Sequence, residues 1–348
     1  MRRYLYSLMT DQRKDPFSFC IKIILHVFAF LYRILLEIRN FFWKTGFWKG
    51  KKVPLVVISI GNITLGGTGK TPFVKWLVKK LLSKGKKVAV LTRGYQKISE
   101  DLSDEAVELR SAFPDVPVWV GKDRVALAEK ALSAHIDTVI LDDGFQYRRL
   151  YRNLDIVLID ATNPFGNGRM LPRGILREKP ASLRRADFLV LTRTDGEEEK
   201  LSTQEHFLKK CVPDAPILFS IHRLRRFYEA RSHEGVSLES LRRERVIAFC
   251  GIGNPQAFKR ILEGSGLRLI EMVSFMDHHR YREKDLAKID ESADALDAGC
   301  LITTEKDFER LRALDLWPST RLVIVEVELV VTKNEDELLR RLDTLSPR

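Results

Sequence analysis

Short, uninterrupted apolar runs recur along the chain and alternate with stretches of helical periodicity. The run over residues 53–60 is rich in β-branched residues, as expected of a strand buried on both faces of a parallel sheet. Such strands alternate with helices in α/β folds, so the pattern predicts a doubly wound parallel sheet of the P-loop NTPase type. Further strands are predicted over 88–92, 116–120, 137–143, 154–160 and 188–192, with a helix over 124–134.

A second group of strands follows a polar, charge-rich stretch that begins after Ile221. A strand, a turn and a helix are predicted from Val246 onward, and the β-branched run over 322–331 could pair back along the linker. Two more strands are expected over 267–273 and 300–304. We therefore predict a helical segment over residues 1–52, a P-loop domain over 53–221 and a smaller α/β domain with linker strands over 222–348.

The first 52 residues are apolar, aromatic and basic. No uninterrupted apolar run there reaches about 18 residues, so a spanning helix is not expected. Six polar positions fall within an arc of about 60° when plotted at helical periodicity, which predicts an amphipathic helix lying in a membrane interface. An N-terminal helix packed on the protein's own core is the alternative. The polar positions are Lys22, His26, Arg33, Glu37, Asn40 and Lys44.

The net charge of +12 permits nucleic acid, an anionic membrane or a phosphate-bearing substrate as partner. Residues 1–52 hold eleven Lys or Arg and three Asp or Glu, so +8 of the excess lies on the predicted membrane helix. This location favours an anionic membrane surface and disfavours nucleic acid. The four cysteines have no paired spacing, which argues against a disulfide framework or a zinc site and favours the cytosol. No obligate protein partner is inferred.

The sequence GNITLGGTGKTP directly follows the first predicted strand. Its glycines would let backbone N–H groups point at phosphate oxygens, while Lys70 reaches the β and γ phosphates and the Thr71 hydroxyl ligates Mg²⁺. A glycine-rich turn without a ligand is the alternative, because Thr64 stands where the usual pattern has its first glycine. The predicted nucleotide-binding residues are Thr64, Leu65, Gly66, Gly67, Thr68, Gly69, Lys70 and Thr71.

Two other segments carry charges that suit phosphate chemistry. Asp142 and Asp143 end a predicted strand, where a P-loop sheet presents carboxylates to Mg²⁺. The loop over 163–178 holds Arg169, Arg173 and Arg177 among glycines and prolines. Arginines there could clamp a phosphoryl group by bidentate hydrogen bonds, or they could be solvated surface charges.

Together, eight motifs over most of the chain resemble those of the tetraacyldisaccharide 4'-kinase family. The resemblance implies transfer of the γ-phosphate of ATP to the 4'-hydroxyl of a tetraacyldisaccharide 1-phosphate, a lipid A precursor, to give the 1,4'-bisphosphate (lipid IVA). It also implies a membrane-associated protein, on the cytoplasmic face of the inner membrane. The motifs are GGTGKTP at 66–72, TRGY at 92–95, SDE at 103–105, DDGFQ at 142–146, LPRGILRE at 171–178, GIGNP at 251–255, DHH at 277–279 and TTEKD at 303–307.

The resemblance assigns roles to individual residues. It puts the catalytic carboxylate on Asp104 and its partner histidine on His278; a carboxylate within hydrogen-bond reach of a sugar hydroxyl can accept its proton. Lys70 and Arg177 would act on the transferring phosphate, and Gln146 would contact the nucleotide. Thr71, Asp142 and Asp143 would hold Mg²⁺. Since His278 and the P-loop fall in different predicted domains, domain closure is expected to bring them together.

A membrane-associated GTPase or ATPase without lipid kinase activity is the competing hypothesis. Residues 188–195 read FLVLTRTD, which is close to the strand-TKxD element by which GTPases recognise guanine, with Arg193 in place of the lysine. A GTPase has no need of an arginine-rich loop or of a pair formed by Asp104 and His278. A P-loop ATPase of the membrane-targeting kind would need a lysine where Leu65 stands.

Overall fold

The predicted apolar runs form the strands of mostly parallel sheets in a computed structural model, which describes residues 2–94, 97–99 and 102–347, with side chains for 4–94 and 105–347. Strands predicted over 88–92, 154–160, 188–192 and 300–304 match the observed bounds to the residue. The strands are β1 (Val56–Gly61), β2 (Val88–Thr92), β3 (Lys97–Ser99), β4 (Leu102–Ser103), β5 (Val118–Val120), β6 (Thr138–Asp142), β7 (Leu154–Asp160), β8 (Phe188–Thr192), β9 (Ile217–Glu229), β10 (Gly235–Val236), β11 (Arg245–Cys250), β12 (Arg268–Ser274), β13 (Cys300–Thr304) and β14 (Leu322–Lys333).

Helices alternate with these strands, which confirms the α/β class. A 3₁₀ helix over Pro180–Arg185 lies between β7 and β8. The α-helices are α1 (Arg2–Met9), α2 (Pro16–Lys44), α3 (Lys70–Ser83), α4 (Asp104–Ala112), α5 (Arg124–Ser133), α6 (Glu198–Cys211), α7 (Leu238–Arg242), α8 (Pro255–Gly264), α9 (Glu283–Ala295), α10 (Glu305–Ala313) and α11 (Glu335–Asp343).

The first compact unit contains residues 1–93, 116–221 and 331–348. Its described strands follow the order β9-β8-β7-β1-β6-β2-β5, and each neighbouring pair is parallel. β1 is buried along its whole length between β6 and β7, and the chain leaves it toward both sides of the sheet. The carboxyl end of β1 is therefore the switch point at which open α/β sheets bind ligands.

The second unit contains residues 94–115 and 222–330. Its described strands follow the order β12-β11-β13-β14-β9, and the pairs from β12 to β14 are parallel. The expectation that the run ending at Val331 pairs back along the linker is confirmed, because β14 neighbours β9. Both of these strands have residues in each unit.

Two segments group differently from the predicted boundaries at 221 and 222. Residues 94–115, including α4, belong to the second unit, where Arg312 donates to the Ser111 hydroxyl at 3.2 Å. Residues 331–348 belong to the first unit, where Asp343 pairs with Lys84 at 2.6 Å. Contacts between segments distant in sequence set these memberships, and linear boundaries could not express them.

Helix α2 exposes most of its apolar side chains. Asp15 caps it by accepting the Ser18 N–H, and only Ser18 and Ala29 are buried along its length. The alternative in which this helix packs on the protein's own core is therefore wrong. The exposed large side chains are Phe17, Phe19, Ile23, Ile24, Val27, Phe28, Phe30, Leu31, Ile34, Leu35, Ile38 and Phe41.

The segment is less polar than the sequence analysis assumed, and the expectation that it does not cross a bilayer stays a prediction. Among the described residues, the helix Pro16–Lys44 is long and apolar enough to cross a membrane, with a mean hydropathy of 2.1 over an 18-residue window. That window has at most two charged residues, which do not offset its many aromatic and branched side chains. Length and composition therefore leave both a spanning and an interfacial helix possible.

Gly144, directly after β6, has no room for a side chain. A Cβ there would lie 2.7 Å from the Leu141 Cβ and 2.7 Å from the Ser59 Oγ, whereas a Cβ at Gly196 meets nothing within 4 Å. Overpacking costs about 1–3 kcal/mol, so Gly144→Ala should lower the midpoint of thermal unfolding by several degrees while Gly196→Ala should not. Scanning calorimetry of the two variants checks this, and equal midpoints would contradict the close packing at Gly144.

Candidate active site

The glycine-rich loop joins the end of β1 to the start of α3. Gly66 and Gly69 have φ angles of 106° and 83°, a left-handed conformation that glycine adopts without strain. Gly69 caps α3 and has no side chain that could bind the first-turn N–H groups. A helix N-terminus with unoccupied N–H groups binds anions, so Lys70 and Thr71 open the helix at a phosphate site.

Two side chains hold this loop from below. The Asn62 amide donates to the Thr68 hydroxyl at 3.1 Å, and the Thr192 hydroxyl donates to the Thr68 carbonyl at 3.0 Å. Asn62 and Thr68 are both buried. Gln146 donates to the Asn62 carbonyl at 2.9 Å, which places it at the beginning of the loop; its contact with nucleotide stays a prediction. The loop is thus fixed by the ends of β1 and β8.

Asp143 is the centre of the charged groups beside the loop. Arg177 binds both of its carboxylate oxygens, at 2.7 and 2.9 Å, and the Lys70 Nζ lies 3.7 Å away. Buried Arg124 donates to the Asp143 backbone carbonyl at 3.0 Å. Burial alone would raise the pKa of Asp143, but Lys70 and Arg177 outweigh it and hold that pKa well below its usual range. Asp143 is therefore an anion at physiological pH.

The backbone directs the two neighbouring carboxylates differently. Asp142 ends β6 in register with Ile60 of β1, and it is buried. Asp143 follows with a φ of 53°, so the chain turns sharply between the two. No group of three or more His, Cys, Asp or Glu side chains suited to a metal occurs among the described residues. Magnesium commonly takes one or two carboxylates plus substrate phosphate, and carboxylate and hydroxyl oxygens are ligands of that kind. That Thr71, Asp142 and Asp143 bind it stays a prediction.

The arginine-rich loop is paired with the phosphate loop along the backbone. The Leu65 N–H donates to the Ile175 carbonyl at 2.7 Å, and the Arg177 N–H donates to the Ile63 carbonyl at 2.7 Å. Thr64 and Leu176 form an antiparallel bridge between these hydrogen bonds. This pairing places Arg177 beside Asp143. Sequence reasoning missed it, because the loop has no strand periodicity.

The three arginines of this loop lie in different surroundings. Arg177 binds Asp143, and it also donates to the Asn62 side-chain oxygen at 3.2 Å. Arg173 is buried and pairs with Asp11 at 2.7 Å, which fastens the N-terminal segment. Arg169 is exposed. Arg169 is thus a surface charge and Arg173 part of a structural ion pair, while a phosphate clamp formed by Arg177 stays a prediction.

Helix α2 is bound to the same loop at Arg177 and Glu178. The Tyr32 hydroxyl donates to the Arg177 carbonyl at 3.0 Å. Glu178 is buried, accepts two hydrogen bonds from Arg185 at 2.8 and 3.2 Å, and lies 3.4 Å from Arg39 of α2. Burial would raise the pKa of Glu178, but these arginines lower it. Sequence reasoning overlooked Tyr32 and Glu178, although Glu178 ends the LPRGILRE motif.

His278 lies in the second unit. Its φ of 57° is left-handed, and its Nε2 lies 3.7 Å from a Glu105 carboxylate oxygen and 3.8 Å from that of Asp277. Asp104 is the first residue of α4, but its side chain lies outside the described residues. The predicted pairing of Asp104 with His278 therefore stays a prediction, as does the domain closure.

Arg193, which stands in the GTPase-like TRTD element, has a structural partner. Its guanidinium pairs with Asp160 at the end of β7, and its φ is 59°. The preceding Thr192 supports the phosphate loop through Thr68. Thr192 and Arg193 thus make structural contacts at the carboxyl ends of β7 and β8.

Comparisons with known proteins match almost the whole chain. The family model described as tetraacyldisaccharide-1-P 4'-kinase (LpxK) covers residues 21–346. The tetraacyldisaccharide 4'-kinase of Syntrophus aciditrophicus is 37% identical, and the match covers 87% of this chain and 87% of the relative. That of Syntrophobacter fumaroxidans is 36% identical and covers 97% of this chain and 90% of the relative.

A solved structure agrees with these matches. It is that of LpxK from Aquifex aeolicus in complex with ATP, with a TM-score of 0.71 and 29% identity. The similarity covers 93% of this chain and 98% of that one. On the family model and the relatives together, this chain belongs to the tetraacyldisaccharide-1-phosphate 4'-kinase family.

Proposed function

We propose that this chain transfers the γ-phosphate of ATP to the 4'-hydroxyl of a tetraacyldisaccharide 1-phosphate in lipid A biosynthesis. The observation that carries the proposal is the cluster of Lys70, Arg177 and Asp143 beside a phosphate-binding loop, in a chain of this kinase family. The solved relative from Aquifex aeolicus is described as a complex with ATP, which supports ATP as the donor.

The phosphate loop and its neighbours bind and orient the donor. First-turn N–H groups of α3 and the Lys70 ammonium bind phosphate oxygens, and Arg177 adds a second cation beside them. Thr71, Asp142 and Asp143 would hold Mg²⁺, which supplies positive charge to the donor phosphates when bound. Because Asp143 is already ionised, it needs no proton loss to serve as a ligand.

Asp104 serves as the base for the sugar hydroxyl. As the 4'-oxygen attacks the γ-phosphorus, its proton passes to the Asp104 carboxylate, while the bond from that phosphorus to the β–γ bridging oxygen breaks and ADP leaves. His278 orients that carboxylate. Support comes from Asp104 opening α4, where its neighbour Glu105 lies near the His278 ring.

Helix α2 lies in the surface of the membrane that contains the lipid substrate. Its contacts with the body of the first unit extend from Lys22, bound to Asp11, to Asn40, bound to Arg148. The helix rises about 27 Å from Lys22 to Asn40, which is close to the thickness of a bilayer core. Because α2 is bound to the first unit at both ends of that length, it lies along the membrane surface and does not cross the bilayer. The exposed apolar side then enters the lipid, on the cytoplasmic face where ATP is available.

The GTPase hypothesis has one observation against it. Guanine recognition by a strand-TKxD element uses a lysine, but Arg193 takes that position and is bound to Asp160. ATP should therefore serve better than GTP as phosphate donor.

Transfer of labelled γ-phosphate to a detergent-dispersed tetraacyldisaccharide 1-phosphate tests the reaction. Wild type should label the lipid from ATP, and Asp104→Ala should lower kcat by about 10²-fold or more, as expected for loss of a general base. Asp115→Asn, at an exposed position of the same unit, is the control and should retain activity. Hydrolysis without labelled lipid, with GTP preferred, would favour the GTPase hypothesis instead.

Arg177→Lys tests the two-pronged contact with Asp143. Lysine keeps the charge but cannot bind both carboxylate oxygens and Asn62 at once, so kcat should fall about 10-fold or more. Arg169→Lys is the matched control, since Arg169 is an exposed arginine of the same loop. Steady-state kinetics with ATP varied measures both variants. Equal rates for the two would remove Arg177 from the catalytic site.

Cys20 is a natural reporter of the membrane surface. It is exposed on α2, whereas Cys211 is partly exposed at the end of α6. Vesicles of phosphatidylethanolamine and phosphatidylglycerol should slow labelling of Cys20 by a charged maleimide about fivefold or more and leave Cys211 unchanged. Burial raises the pKa of the Cys250 and Cys300 thiols to about 12, so neither competes. Mass spectrometry of each site gives the rates, and an unchanged Cys20 rate would contradict insertion of α2.

A further inference from the structure

Residues of the TTEKD motif and of helix α10, which begins within that motif, form a buried hydrogen-bond network next to His278. Asp307 is fully buried, and its two carboxylate oxygens accept the Gly251 N–H, each at 3.1 Å. The Thr304 hydroxyl donates to Asp307 at 2.7 Å and caps α10 by accepting the Asp307 N–H. The proposed reaction assigns no role to these side chains.

Arg310 connects this network to the histidine. It is 3% exposed, and its Nη1 donates to Asp307 and to the Gly251 carbonyl, both at 2.8 Å. The backbone N–H of His278 donates to the same Gly251 carbonyl at 3.0 Å. The Gly251 carbonyl thus binds both the Arg310 guanidinium and the backbone of His278. The Arg310 Nη2 lies 3.4 Å from the His278 Nδ1.

The chemistry of that last contact determines where the histidine carries its proton. A guanidinium has only donors and stays charged, so the His278 Nδ1 must accept. In the neutral ring the proton is then on Nε2, the atom that lies 3.7 Å from a Glu105 carboxylate oxygen in the first turn of α4.

We infer that Arg310 is a positioning residue, which holds His278 as its Nε2–H tautomer and directs that N–H toward the first turn of α4. The inference rests on the proposed roles of Asp104 and His278. A histidine held this way donates to a carboxylate and leaves the carboxylate's other lone pairs for the sugar proton. The carboxylate, not the ring, is then the first proton acceptor.

The tautomer can be measured directly in the full-length protein. Long-range ¹H–¹⁵N correlation spectra distinguish a protonated ring nitrogen from an unprotonated one, and the spectrum of His278→Gln identifies the His278 signals. At a pH where the ring is neutral, the wild type should show Nε2 protonated and Nδ1 unprotonated. A protonated Nδ1 would overturn the inference, and this result needs no Arg310 variant to fold.

Arg310→Met should then give a mixture of tautomers and lower kcat about 10-fold or more, with KM for ATP within about twofold. Arg260→Met is the control, since Arg260 is an exposed arginine on α8 of the same unit, and it should change neither. If Arg310→Met does not fold, Arg310→Gln replaces it, because an amide can either donate to the His278 Nδ1 or accept from it.

Unchanged tautomer and kcat in a folded Arg310 variant would refute the positioning role. The proposed role of His278 fails separately, if His278→Gln retains full kcat while the wild-type tautomer is as expected, and the proposed function fails if the wild type labels no lipid.

Discussion

The bidentate pair between Arg177 and Asp143 is the interaction on which the organisation of the first unit's site depends. It joins the arginine-rich loop to the end of β6, and Lys70 approaches the same carboxylate from the start of α3. Cations brought together at a phosphate site repel one another unless an anion lies between them. Asp143 supplies that anion, and the backbone pairing of Leu65 with Ile175 holds the two loops in register around it.

The same loop connects the phosphate-binding loop to helix α2, whose apolar side is exposed. Arg177 uses its side chain on Asp143 and its carbonyl on Tyr32, while the next residue, Glu178, lies close to Arg39. A lipid kinase must act on a headgroup that stays at the bilayer surface. Attachment of α2 to the loop that carries Arg177 would keep the phosphate site at a fixed depth relative to that surface.

Sequence patterns predicted the sheet well, because a strand buried on both faces is apolar over nearly its whole length, as β2 and β8 are. The pattern of α2 gave its exposed apolar side but not its contacts. Pairings such as Arg177 with Asp143, 34 residues apart, depend on how loops cross and leave no periodic signal. The grouping of α4 with the second unit is of the same kind.

A double-mutant cycle of Arg177→Met and Asp143→Asn, read by thermal unfolding of the full-length protein, tests most directly whether this pair holds the site together. Contacting charged residues typically show coupling energies of about 0.5–3 kcal/mol, and independent sites add within about 0.3–0.5 kcal/mol. We expect a coupling of about 1 kcal/mol or more. Additive effects of the two substitutions would contradict the account.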